Sequence, residues 1–93
     1  MKVTIIGAGN IGGAVARGLM AANALPQENL TVVDLDESKL NELKAEYKSI
    51  NTAKDGHDAA SKSDVVILAV KPWLVEPVLS GIADTLTKDK IFA

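Results

Sequence analysis

Three glycines in six residues, Gly7-Ala8-Gly9-Asn10-Ile11-Gly12, interrupt the chain just after a short β-branched apolar run at residues 2–6. That run has the composition of a strand, and glycines end it abruptly because they accept backbone angles that side chains resist. Beyond them Ile11, Ala14, Val15, Gly18, Leu19 and Ala22 recur at helical spacing with Arg17 turned outward, and residues 23–26 stop the pattern. Strand, tight turn and helix therefore follow one another without a spacer. The first amides of such a helix lack intrahelical acceptors and carry the positive end of its dipole, so the turn is suited to an anion. Glycine spacing alone is a weak signal, and its neighbours decide what it means.

The same alternation continues. Residues 30–34 form a second strand-like run, Ser38 is placed to cap a helix, and Leu40, Leu43 and Tyr47 make its apolar face. A weak third strand is expected at 50–53 and a short helical turn at 55–62. The continuous apolar run at 64–70 predicts a central strand buried on both faces. Leu74, Val75, Val78, Leu79, Ile82 and Leu86 then give a further helical face, with Pro77 expected in its first turn, and Ile91-Phe92-Ala93 opens a fifth strand. Strands alternating with helices imply right-handed crossovers and one parallel sheet. The expected fold is α/β, a Rossmann-type doubly wound parallel sheet truncated in its fifth strand. Residues 1–93 form one dinucleotide-binding domain, with a carboxyl-terminal portion expected beyond it.

Composition agrees with that class. Hydrophobic residues make up 47 % of the chain and aromatics only 3 %, which suits a core of Val, Ile, Leu and Ala. The net charge of -2, with scattered basic residues, gives no electrostatic footprint for nucleic acid or an anionic membrane. With no cysteine, disulfides and thiolate metal sites are excluded, and the cytoplasm is the default compartment. No apolar run reaches the about 18 residues a membrane span requires.

In this context the glycine turn reads as a pyrophosphate cradle for NAD(H) or NADP(H). Gly7 allows the tight turn, Gly9 lets the backbone approach the ligand, and Gly12 lets the helix pack close. An acidic residue, Asp34, ends the next strand at about the 20-residue distance expected of a ribose ligand. The predicted contacts are Gly7, Ala8, Gly9, Asn10, Ile11, Gly12 and Asp34. A carboxylate there accepts hydrogen bonds from the 2′-hydroxyl and repels a 2′-phosphate, which leans the choice toward NAD(H). Asp36 competes for that role, and Lys39 is long enough to swing toward a phosphate. In the expected strand order the crevice opens between the first and fourth strands, so Val70-Lys71-Pro72-Trp73 faces the turn. Pro72 biases Lys71 toward extended geometry. Lys71 by itself is as readily a solvated lysine as a ligand contact, and Trp73 is expected to anchor its loop. His57 stands alone between Asp55 and Asp58, which do not make a closed metal site, and no catalytic residue is assigned in this chain.

The segments Ile5-Ile6-Gly7-Ala8-Gly9-Asn10-Ile11-Gly12, Arg17-Gly18-Leu19 and Ala69-Val70-Lys71-Pro72 resemble the amino-terminal domain of pyrroline-5-carboxylate reductase, over essentially the whole chain. The resemblance implies that Ala69, Val70, Lys71 and Pro72 line the cofactor site. It also implies hydride transfer from NAD(P)H to the C=N bond of the imino acid 1-pyrroline-5-carboxylate, giving L-proline. The family's substrate site and dimer-forming helices lie in a carboxyl-terminal domain outside this chain, so a homo-oligomer is implied. Two departures stand out. Asp55-Gly56-His57-Asp58 occupies the segment where the family commonly has a cofactor-touching asparagine, and Asp34 is an acid where many NADPH-preferring members have none. Two other readings stay open: an NAD(P)-dependent dehydrogenase of the β-hydroxyacid type, and a non-catalytic NAD(H)-sensing Rossmann module.

Overall fold

Val3–Ile6 forms the first strand, β1, and is buried along its whole length, so its side chains must serve two cores at once. A computed structural model describes residues 1–86 and 91–92. After β1 come α1 (Asn10–Ala21), a 3-10 turn (Gln27–Asn29), β2 (Leu30–Val33), α2 (Glu37–Glu46) and β3 (Asn51–Ala53). They are followed by α3 (Gly56–Ser61), β4 (Val65–Leu68), α4 (Pro72–Ile82), a second 3-10 turn (Ala83–Thr85) and β5 (Ile91–Phe92). Ala93, expected in the fifth strand, lies outside the described residues.

The strands pair in parallel in the order β3-β2-β1-β4-β5. Ile6 stands opposite Val33 on one side and Leu68 on the other, so β1 and β4 end level with each other. Val3 and Ile5 pack with Ala16 and Met20 of α1 and with Leu40 and Leu43 of α2. Ile6 faces the other way, toward Ala60 of α3, Val66 and Ile82 of α4. The winding direction therefore reverses between β1 and β4, with helices on both faces, and the expected doubly wound α/β architecture is the one observed.

Several local expectations need correction. In α1 the buried residues are Gly12, Gly13, Ala16 and Met20, with Val15 and Leu19 packed beside them. Ile11, Ala14, Gly18 and Ala22 are exposed, because the helix turns its small residues to the sheet to come close. Helix α2 is capped by Asp36, whose carboxylate accepts from the Ser38 amide at 3.0 Å and the Ser38 hydroxyl at 2.6 Å; Ser38 lies inside the helix. These bonds hold the Asp36 carboxyl below its ordinary range. Strand β4 is central, yet only Val66 is fully buried, because α1 and α2 pack over β1, β2 and β3 and leave Val65 and Ile67 half covered. Pro77 falls in the interior of α4, which starts at Pro72, before the apolar pattern begins. The missing N–H leaves the Trp73 carbonyl without its helical donor, which is tolerable because Trp73 is exposed to water. Leu74 and Val75, expected on the packed face, are exposed as well, and α4 is held by Val78 and Ile82, with Leu79 half-buried.

Candidate cofactor site

The carboxyl ends of β1, β2 and β4 meet at the glycine turn. Gly7 has φ +114°, and a Cβ placed on it would lie 2.3 Å from the Ala69 carbonyl oxygen, so only glycine fits between the ends of β1 and β4. Its amide donates to the Val33 carbonyl at 2.7 Å, tying the turn to β2 as well. Gly12 backs directly onto Gly7, since a Cβ there would lie 1.8 Å from the Gly7 carbonyl oxygen. This approach seats α1 with its amino terminus aimed across the turn.

Gly9 is different. A Cβ on it would meet no atom closer than the Lys39 ammonium at 3.9 Å, so the space above Gly9 is open. Gly9 also occupies the N-cap position without a capping side chain. The Gly13 amide donates to the Gly9 carbonyl at 2.8 Å, while those of Asn10, Ile11 and Gly12 have no cap to satisfy them. Open space beside uncapped amides at a positive helix end fits a phosphate group.

Asp34 lies just past β2, half-buried, beside the turn. Its Oδ2 accepts from the Ala8 amide at 2.8 Å and its Oδ1 from the Asp36 amide at 2.9 Å. The carboxylate is thereby fixed in orientation, and each oxygen keeps a lone pair for a further donor such as a ribose hydroxyl. Beyond Gly9 a cleft of 220 Å³ runs between α1 and α2, lined by Ala8, Asn10, Arg17, Lys39 and Glu42. Arg17 points away from the sheet as expected, and its Nε and Nη2 bind Glu46 of α2 at 2.9 and 2.8 Å. That pairing raises the Arg17 pKa and lowers that of Glu46.

On the opposite wall the Ala69 amide donates to the Ile6 carbonyl at 2.8 Å, and Ala69 abuts both Gly7 and Gly12. Val70 packs on the α3/α4 side of the sheet. Lys71 has φ -58° and ψ 147°, the extended geometry expected before a proline, and caps α4 with Pro72 at the first helical position. Trp73 is 73 % exposed in the first turn of α4, so it does not anchor a loop. Ile11 and Leu35 are exposed as well. The predicted cofactor contacts thus come to one end of the sheet, whereas Asp55, His57 and Asp58 lie apart from them at α3. Sequence reading missed the bond from the Ala8 amide to Asp34; Lys39, read there as long enough to reach a phosphate, has its ammonium over Gly9.

Asp55, His57 and Asp58 each have a separate partner. Asp55 caps α3 through the His57 amide at 2.9 Å, and Asp58 pairs with Lys62 at 3.2 Å. The His57 ring meets Asp84 at 3.0 Å. That contact raises the His57 pKa and lowers that of Asp84. Among the described residues no helix is long and apolar enough to cross a membrane.

Comparison with known proteins bears on the same site. Over 84 residues the chain is 43 % identical to pyrroline-5-carboxylate reductase of Corynebacterium melassecola, covering 90 % of this chain and 30 % of that protein. Over 90 residues it is 34 % identical to the reductase of Methanosarcina acetivorans, covering 97 % and 33 %. It spans about a third of the length of these curated relatives. Among solved structures, the pyrroline-5-carboxylate reductase of Coxiella burnetii superposes with a TM-score of 0.82 at 32 % identity, covering 94 % of this chain and 32 % of that one. The Plasmodium falciparum pyrroline carboxylate reductase with NADP bound gives 0.81 at 26 %, covering 99 % and 32 %. The resemblance read from the glycine turn and the Ala-Val-Lys-Pro segment therefore extends over nearly the whole chain. A family model for NADP oxidoreductase, coenzyme F420-dependent, matches residues 2–92. By that match the chain belongs to the NADP oxidoreductase, coenzyme F420-dependent, family.

Proposed function

We propose that this chain is the NAD(P)H-binding domain of an oxidoreductase of the pyrroline-5-carboxylate reductase type. The observation that carries the reading is the open, uncapped helix start at Gly9, set beside an oriented Asp34 at the junction of β1, β2 and β4. The amides of Asn10, Ile11 and Gly12 hold the pyrophosphate, with Gly7, Ala8 and Gly9 shaping the cradle. Asp34 accepts from the adenosine ribose, and Ala69, Val70, Lys71 and Pro72 form the wall on the nicotinamide side. When bound, the cofactor supplies the hydride. The proposed reaction is the two-electron reduction of the C=N bond of 1-pyrroline-5-carboxylate to give L-proline, for which a bound NAD(P)H would be the reductant and NAD(P)+ the product. The task of these residues is to position the dinucleotide and shield it from solvent on the sheet side. The imino-acid site and a dimer interface belong to a carboxyl-terminal domain, and the cytoplasm is the proposed compartment.

Asp34 favours NAD(H), because its charge repels a 2′-phosphate by about 1 to 4 kcal/mol per charge pair at about 4 Å. The reading is tested in the full-length protein by following oxidation of NADH and NADPH with 1-pyrroline-5-carboxylate and identifying L-proline as product. No turnover with either cofactor refutes the assigned reaction. Asp34→Ala is expected to shift relative affinity toward NADPH, and an unchanged affinity ratio removes Asp34 as the selector.

A further inference from the structure

Among the described residues the exposed large hydrophobic side chains gather in one place, the start of α4. Trp73, Leu74 and Val75 are consecutive and exposed to 73, 43 and 37 %, whereas Met1, Ile11 and Leu35 each stand alone in the chain. The packing of α4 is confined to its second half, where Val78 and Ile82 meet Ile6, Val33 and Val66; residues 71–77 are all exposed. Glu76 is the only ionisable residue of α4. Helix α2, of similar length, turns Glu37, Lys39, Glu42, Lys44 and Glu46 to water. A solvated helix face has the composition of α2, and the start of α4 has that of a covered one. The patch also continues the wall of the crevice, since Lys71 and Pro72 directly precede Trp73.

We propose that the start of α4 is the docking surface for the segment that follows residue 93 in the full-length protein, with Trp73 as its central contact. The chain covers 30 and 33 % of its curated relatives, so a full-length protein of that size supplies a further domain to cover the patch. A second copy of the patch is a poor occupant. The three side chains expose on the order of 300 Å², taking about 250 Å² for a whole indole side chain. A stable interface between separate molecules buries about 800 Å² on each partner. A tethered domain needs less area, because the connecting chain supplies a high effective concentration. A charged partner would find only Glu76 to pair with on this helix, whereas an apolar segment buries a large, rigid indole at low entropic cost. The inference rests on the reading of this chain as one domain of a larger reductase, and it adds where the other domain sits.

The experiment uses the full-length protein with the photo-cross-linking residue p-benzoylphenylalanine in place of Leu74, and in place of Asn41, exposed on α2, as a control. Cross-linked peptides are mapped by mass spectrometry. Position 74 is expected to cross-link to residues beyond 93, well above the control. Cross-links only to residues 1–93 would assign the patch to contact between copies of this domain, and no cross-link above the control would leave it in water; either result overturns the proposal. Trp73 emission gives a second readout that needs no cross-linker. In the difference between wild type and Trp73→Phe, acrylamide quenching is expected to be several-fold weaker than for a free indole, and quenching equal to that of free indole overturns the proposal. Reduction of 1-pyrroline-5-carboxylate is assayed on the same full-length protein. Turnover without the expected cross-link overturns the docking surface alone, and the cross-link without turnover overturns the assigned reaction alone.

Discussion

Gly12→Ala is expected to destabilise the protein, with the opposite sign to an ordinary glycine-to-alanine change in a helix. At Gly18, in the same helix and with no atom within 4 Å of a new Cβ, alanine should stabilise by about 0.5 to 1 kcal/mol through reduced unfolded-state freedom. At Gly12 the same methyl would sit 1.8 Å from the Gly7 carbonyl oxygen and 2.7 Å from its carbon. Real contacts of this kind do not fall below 3.0 Å, so helix and turn must separate by more than an ångström. Neither partner yields easily. Gly7 is pinned by its amide bond to Val33 at 2.7 Å and by its close contact with Ala69. Overpacking of this kind costs about 1 to 3 kcal/mol, and rigid backbone on both sides places Gly12 near the upper end. Setting the intrinsic gain against it leaves a net loss of about 2 kcal/mol. Urea denaturation of wild type, Gly12→Ala and Gly18→Ala measures the difference, and the two variants should lie about 3 kcal/mol apart with similar m-values. If Gly12→Ala is as stable as wild type, the close approach of α1 to the turn is not as described and the argument fails.

Two further predictions concern contacts away from the cleft. Ser63 bonds the buried Thr4 hydroxyl and donates to the Ala59 carbonyl at 2.7 Å, so Ser63→Ala should cost about 1 to 3 kcal/mol by leaving Thr4 unpaired. Adding Thr4→Val should recover part of that loss in thermal or chemical unfolding, and simple additivity of the two single variants would refute the coupling. The His57–Asp84 contact should make stability depend on pH. Because His57 is raised above 6.5, its contribution is complete below that value and is lost as pH rises through the raised pKa. Because Asp84 is lowered from 3.8, its contribution is present above that value and is lost as pH falls through the lowered pKa. The stability difference between wild type and His57→Gln should therefore be largest between pH 3.8 and 6.5 and shrink at alkaline pH. A difference that stays constant into the alkaline range contradicts the assignment.

Much of the site was legible because it is local in the chain. The strand before Gly7, the glycine spacing and the helix after it are set by neighbouring residues, and so is the extended Lys71 ahead of Pro72. Element order followed from periodicity, and sheet order from the short crossovers that periodicity implies. The errors fell where packing, not spacing, decides. Ile11, Ala14 and Gly18 fit a helical stripe equally well, but α1 buries Gly12, Gly13 and Ala16 because small residues let it reach the turn. Ser38 and Asp36 are both good caps, and the choice went to Asp36, whose own amide is held by Asp34. Leu74 and Val75 continue the apolar pattern of α4 but stay exposed.

The amino-acid sequence by itself determined a strand, a glycine turn and a helix in direct succession, an acid at the end of the next strand and a parallel doubly wound sheet, since each depends on local backbone preference or on periodicity. Only the tertiary structure decided that the Asp34 carboxylate is oriented by the Ala8 amide and that Lys39 stands over Gly9 with no ion-pair partner among the described residues. Both relations join residues more than twenty positions apart. They exist because β1 and β2 lie side by side in register, which brings the turn after one strand against the helix that follows the other.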